Sequence, residues 1–367
     1  MRKMEKQYDI IIIGAGPAGA NFARFIDFHK YKVLLLDGSE GHDKVCGGLI
    51  SPDAQEILAR YDLCLPKDIL VSPQLFSVRT IDLANNKIRH YRRSYLNVDR
   101  KKLDDFFRSL VPPQIDRLCG RCKQVKRTAS GYEIETVGGE TLSCKCVVGA
   151  DGASSNLRLS LFRHKKLQKY VSIQQWYPAG EANPYYSCIF DNETSSGCSW
   201  IFFKDGMTVF GGAFESHNCR EAFEIQKQKL IDVGFLDSVS VANVKKTEAC
   251  LVSRPHFGQG IFTGQDGAFL LGEAAGFISP SSFEGISYAL ASSEALADAF
   301  NKYNIDKKRK IRRLYKRKTA GLKRKINLRC LKRPFMYNRH LRACVMKSGV
   351  TSIKIKQPAV AQSPKTK

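Results

Sequence analysis

The sequence predicts an α/β protein: a Rossmann-like ββα sandwich, an antiparallel-sheet substrate lobe and a basic, partly helical C-terminal extension. Three observations predict it. Glycine-rich turns recur at three separated places, each behind an apolar strand. The stretch between the second and third is rich in aromatic residues at alternating positions. Nearly all of the net positive charge lies beyond residue 300.

The first turn is Gly14-Ala15-Gly16-Pro17-Ala18-Gly19. It follows the apolar run 10–13, which reads as a buried parallel strand. It precedes a helix predicted over 21–30 and a strand over 32–36 that ends at Asp37. In this setting Gly14 permits the turn, Gly16 lets the backbone approach a pyrophosphate, and Gly19 lets helix and strand pack closely. The helix start, with Pro17 and Ala18 in its first turn, offers N–H groups and a dipole to an anion. Asp37 is placed to accept from ribose hydroxyls.

The second turn is Gly149-Ala150-Asp151-Gly152 and the third is Gly272-Glu273-Ala274-Ala275-Gly276. A nicotinamide dinucleotide needs neither. A flavin must be held along its ribityl chain and at its ring. Asp151, Gly152, Gly272 and Glu273 read as that second half of the site, so FAD is the expected cofactor. No further glycine-rich nucleotide site is visible, which leaves NAD(P)H and ferredoxin both open as electron donor.

The set of motifs resembles the FAD-dependent oxidoreductases of the p-hydroxybenzoate hydroxylase type, and more narrowly the geranylgeranyl reductase family, over about residues 7–300. The narrower resemblance rests on Lys44-Val45-Cys46-Gly47-Gly48-Leu49-Ile50-Ser51-Pro52, on Cys198-Ser199-Trp200-Ile201-Phe202-Phe203-Lys204 and on residues 277–286. It implies that Cys46 faces the flavin as catalytic residue, with Gly47 and Gly48 letting backbone come close to the ring. It implies that Trp200, Phe202 and Lys204 belong to a pocket for an apolar substrate, and that Arg100 touches the diphosphate side of FAD. Gly285 and Ile286 would open a helix aimed at the ring. The implied activity is saturation of C=C bonds in an isoprenoid or other lipid-like molecule. A flavin monooxygenase or halogenase of the same fold is the alternative, and a basic redox-sensing flavoprotein a second one. Cys198, Phe203, Glu273 and Phe283 depart from the family pattern, which has Tyr, Pro, Asp and Gly there.

The domain reading follows. Residues 1–70, 95–165 and 251–300 form a discontinuous FAD-binding domain; 71–94 and 166–250 form the substrate lobe; 301–367 are the extension. Helices are predicted over 52–61, 97–110 (opened by Asp99), 220–233 and 284–300, the last with a Ser281-x-x-Glu284 capping box. A meander is predicted over 117–149.

The chain has 367 residues, 43% apolar and 26% charged, enough for a two-lobed core. Its 12 cysteines read as reduced thiols in a cytoplasmic setting, because no room for a secretory signal precedes the strand beginning at Tyr8. Apolar runs are far too short to span a bilayer. Cys119-x2-Cys122 and Cys144-x-Cys146 fall on predicted strands and the seven histidines lack ligand spacing, so no metal is expected.

Residues 301–367 hold 23 Lys or Arg against the single acid Asp306, +22 of the chain's +24. Ile311, Leu314, Tyr315 and Lys318 fall at helical spacing. Attachment to an anionic membrane surface is the favoured reading of this charge, making the protein peripheral at the membrane; a solvated tail and nucleic-acid binding are the others. Residues 357–367 read as disordered. A cut after Phe300 is expected to leave flavin binding intact.

Overall fold

In the computed structural model, residues 7–38, 45–165, 167–178 and 183–355 are described. The strand Gln7–Ile13 lies between Val33–Asp37 and Thr141–Gly149, parallel to both. Asp116–Cys119 extends the parallel set beyond Val33–Asp37, and Ala268–Leu270 extends it beyond Thr141–Gly149. Residues 10–13, 34–36 and 147–148 are all buried. That is what continuous apolar runs require of a parallel sheet covered on both faces. Thr141–Gly149 divides its outer edge: its first half pairs with Tyr132–Thr136, its last three residues with Ala268–Leu270. The predicted meander is thus fused to the nucleotide sheet.

The second sheet has eight strands. Their order is Lys246–Arg254, Gln168–Pro178, Met207–Glu215, Ser199–Lys204, Tyr185–Phe190, Ser77–Asp82, Lys87–Tyr91 and Ser352–Ile353. Alternation sorts its side chains. Ile201 and Phe210 pair across strands and pack against the helix Cys219–Asp232, where Phe210 stacks on Phe223 at 4.9 Å. Trp200 and Phe202, one residue out of phase, cluster instead with Leu75, Val209, Tyr95 and Tyr186.

A two-stranded ladder, Leu49–Ile50 with Leu96–Asn97, holds the Cys46 loop beside the helix Arg100–Ser109. Asp99 caps that helix by accepting from Lys102 N at 3.0 Å. The long helix expected over 284–300 runs over Ile286–Lys302, with Gly285 at its N-cap. The Ser281 capping box does not form, because the Ser281 hydroxyl pairs with Ser279 Oγ and Phe283 turns the chain at φ 54°. Glu284 serves the helix start instead, its Oε1 accepting from Ser287 N at 2.9 Å.

The extension is helical, as expected, and it is also docked on the rest of the fold. Its helices Lys308–Lys318, Ala320–Tyr337 and Arg339–Ser348 pack on both sheets, and its strand Ser352–Ile353 pairs with Lys87–Tyr91. Ile311, Leu314 and Tyr315 are buried in the same core as the nucleotide sheet, and Tyr315 Oη donates to Leu270 O at 2.8 Å. A few apolar residues at helical spacing suffice to dock a helix whose other faces are all charge. Residues 357–367 lie outside the described residues. Among the described residues, no helix is long and apolar enough to cross a membrane.

Candidate flavin and substrate site

One cavity of about 1550 Å³ opens along the C-terminal ends of the parallel strands, where open α/β sheets bind their ligands. Its first end is formed by Gly14, Gly16, Pro17, Ala18 and Asp37. Gly14 and Gly19 sit in backbone contact: a Cβ on Gly19 would lie 1.8 Å from Gly14 O, and one on Gly14 would lie 2.7 Å from Ala150 O. A Cβ on Gly16, the N-cap of Pro17–Phe25, would meet nothing within 4 Å and project into the open cradle. Arg108, Arg117 and Arg121 line this end, and Arg108 Nε lies 3.9 Å from Asp37 Oδ2.

The second signature forms the middle of the wall. Asp151 Oδ2 accepts from Asn156 N at 2.7 Å and Leu157 N at 3.3 Å, while Oδ1 is buried with no hydrogen-bond partner. Burial pushes the Asp151 carboxyl up, against the Ser155 hydroxyl and backbone N–H groups that pull it down. Gly152 lines the cavity beside it. Gly272 stands behind the wall, its N–H donating to Ser292 Oγ of the long helix at 3.0 Å. Glu273 lines the cavity and accepts from Ser253 N at 2.7 Å. Arg158, which motif matching left without a role, ties the signatures together. It donates to Ala274 O at 2.8 Å and Gly260 O at 3.0 Å, and burial pushes its guanidinium down to about 10.

Cys46 and Gly47 line this cavity, as do Glu284, Gly285 and Ile286. Arg100 lines the same cavity and is buried against this loop. It holds Asp104 at 3.0 Å and hydrogen-bonds the Cys46 side chain. Burial pulls its guanidinium down, and Asp104 and Cys46 more than reverse that. Lys204 is displaced from its expected place. It stands behind the wall and donates to Gly47 O at 3.0 Å and to Val98 O, while Gly48 O accepts from Val98 N at 2.8 Å. Burial pulls the Lys204 ammonium down, with Cys46, Asp99 and Asp205 partly opposing. It fastens the loop.

Beyond Cys46 the wall turns aromatic: Tyr95, Tyr186, Trp200, Phe202 and Phe283. Tyr95, Tyr186 and Phe283 were not picked out from the sequence as pocket residues, because their strands and loop are remote from the Trp200 motif in the chain. Phe283, at φ 54°, sits 5.6 Å from Tyr170 and under the buried Arg254 guanidinium.

These residues fit FAD. Carboxylates at Asp37, Asp151 and Glu273 suit hydroxyl donors, the orphaned Asp151 Oδ1 in particular. The glycine cradle at a helix start suits a pyrophosphate. The cavity also exceeds the 300–1,000 Å³ usual for one ligand.

A family model described as lycopene cyclase protein matches residues 9–177. Protein CbrA of Escherichia coli O6:H1 (strain CFT073) is 39% identical over 368 residues, covering 95% of this chain and 95% of that protein. A geranylgeranyl bacteriochlorophyll reductase-like protein from Thermoplasma acidophilum superposes with a TM-score of 0.76 at 18% identity, covering 89% of this chain and 87% of that one. PqsL, a probable FAD-dependent monooxygenase from Pseudomonas aeruginosa, superposes with a TM-score of 0.67 at 13% identity, covering 93% and 100%. The structural likenesses show a shared fold.

Proposed function

The chain belongs to the family of Protein CbrA, and from that premise we propose that it is an FAD-dependent oxidoreductase reducing C=C bonds of an isoprenoid or other lipid-like substrate. The observation that carries this reading is that a glycine cradle, Cys46 and an aromatic box line one cavity. FAD held by the Gly14–Gly19 cradle, Asp37 and Asp151 would, when reduced, supply hydride.

The chain's own residues do the rest. The helix start at Gly16 and the carboxylates of Asp37 and Asp151 hold phosphate and hydroxyl groups. Tyr95, Tyr186, Trp200 and Phe202 give an apolar chain contact area and exclude water from it. Arg100 and Lys204 fix the Cys46-Gly47-Gly48 loop from below. Cys46 donates a proton from Sγ to the alkene carbon that does not receive hydride.

A second reading, a monooxygenase, draws on the fold shared with PqsL. Anaerobic photoreduction followed by a lipid extract separates the two. Flavin reoxidation by lipid without O2, with a saturated product, supports the reductase. Reoxidation only on admitting O2, with an oxygenated product, overturns it.

A further inference from the structure

The helix Ala320–Tyr337 carries an exposed apolar stripe that its polar neighbours do not explain. Leu328, Leu331 and Phe335 are 54%, 56% and 54% exposed. They fall at i, i+3 and i+7, so they share one face. The opposite face is satisfied: Ile326 and Cys330 are buried, Arg329 donates to Asp53 Oδ2 at 2.6 Å, and Lys325 lies 3.1 Å from Asp53 Oδ1. Arg324 lies one turn before Leu328 on the apolar face, and Lys323 and Lys332 flank it, all three exposed. The next helix, Arg339–Ser348, exposes Leu341 and Val345 at i and i+4.

We propose that this face of the extension seats the protein on an anionic lipid bilayer. Leu328, Leu331 and Phe335 would enter the interface, with Arg324, Lys323 and Lys332 on the headgroups. Both halves of the surface have a use there. A helix lying in an interface needs an apolar face bordered by cations, and an extension of net +22 supplies charge complementary to anionic lipid. A nucleic acid would be served by the cations and not by three exposed aliphatic and aromatic side chains in a row. The stripe is already part of the fold, because its helix is held by Asp53 from one side. Tyr337 at its end donates to Ser281 O at 2.7 Å, in the loop leading to the cavity residues Ser282 and Phe283. The seating is independent of which molecule the cavity takes.

The test is co-sedimentation of the full-length protein with vesicles of phosphatidylcholine alone and of phosphatidylcholine with phosphatidylglycerol, with duplex DNA as competitor. The intact protein is expected to partition onto the anionic vesicles and to be released as salt rises toward 1 M, where the screening length falls to about 3 Å. Leu328→Ser/Leu331→Ser/Phe335→Ser is expected to lower partitioning more than about tenfold with flavin content and circular dichroism unchanged. Lys323→Gln and Lys332→Gln are expected to lower it about fivefold each. Should the triple variant misfold, Leu331→Trp gives a second measure: the emission of the introduced indole shifts to the blue and is quenched by brominated lipid. Anionic-vesicle binding that ignores the triple change, indole emission in the Leu331→Trp protein that ignores lipid, or DNA outcompeting vesicles at 0.15 M salt would overturn the proposal.

Discussion

Arg342 Nη2 lies 2.8 Å from Asp82 Oδ1, and the two side chains are 3% and 0% exposed. One belongs to the last helix of the basic extension, the other to the end of a central strand of the substrate sheet. A buried carboxylate needs a paired charge, and this strand is given one from 260 residues away. Burial raises the Asp82 carboxyl, and hydrogen bonds from Arg342 and Asn85 then bring it below its ordinary range.

Arg342→Gln is therefore expected to cost about 3–5 kcal/mol, since it leaves a buried charge unpaired. Urea unfolding of the purified protein measures this, and Asp82→Asn added to Arg342→Gln should recover part of the loss. The sign of the pH dependence follows from the depressed folded pKa. The pair's stabilisation is complete above the unfolded carboxylate value of about 3.9 and is lost as pH falls through the lower folded value. Wild-type protein should lose stability over that acid range, and Arg342→Gln should show less of that loss.

Gly16 and Gly19 separate binding from folding. Replacing Gly16 with Leu puts a side chain into the open cradle, so the protein should fold and be recovered colourless. Replacing Gly19 with Val drives a Cβ onto Gly14 O and should lower stability and flavin content together. Absorbance and thermal unfolding on both variants decide. Full flavin content in the folded Gly16→Leu protein would rule out the cradle as the pyrophosphate site.

Cys46→Ala should keep its flavin and lose roughly 10²–10⁴ in turnover, the range of a positioned proton donor. Single-turnover reduction of substrate by photoreduced protein reads the chemical step directly. Wild-type rates in a flavin-replete variant would leave Cys46 as a wall residue and nothing more.

Much of this site was legible in the sequence because glycine turns and strand alternation are local. Gly14, Gly16, Asp37, Asp151 and Glu273 come together on one cavity because each ends or follows a strand of a single sheet. Trp200 and Phe202 share a face because strand side chains alternate. What stayed hidden depended on contacts distant in sequence. Lys204 reads as a pocket residue in the sequence, whereas its ammonium lies on Gly47 O behind the wall, and nothing in the sequence signals that Arg100 holds Asp104 and the Cys46 loop. Tyr95 and Tyr186 carry no motif that marks them as walls. In the extension the helical spacing of Ile311, Leu314 and Tyr315 was legible, but that they bury against the nucleotide sheet and that Arg342 pairs with Asp82 was not, because both contacts are distant in sequence.

A chain ending at Phe300 tests that last point, and the sequence alone favoured intact flavin binding for it. The structure reverses the expectation. The cut removes Ile311, Leu314 and Tyr315 from the core of the nucleotide sheet, and burying such a side chain contributes about 1.5–3 kcal/mol. It removes the donor that Leu270 O uses, in the strand leading straight into Gly272 and Glu273. It strips Arg342 from Asp82, worth about another 3–5 kcal/mol as an unpaired buried charge. It also exposes the edge of Lys87–Tyr91 that Ser352–Ile353 covers. These contacts are comparable to the total stability of about 5–15 kcal/mol for a folded domain, and what they lose is only partly offset by the ordering entropy that the shorter chain is spared. The truncated protein is expected to be insoluble or colourless, while a chain ending at Ile355, which retains these contacts, should bind flavin like the full protein. A soluble, yellow protein ending at Phe300 would show that the flavin site folds without the extension.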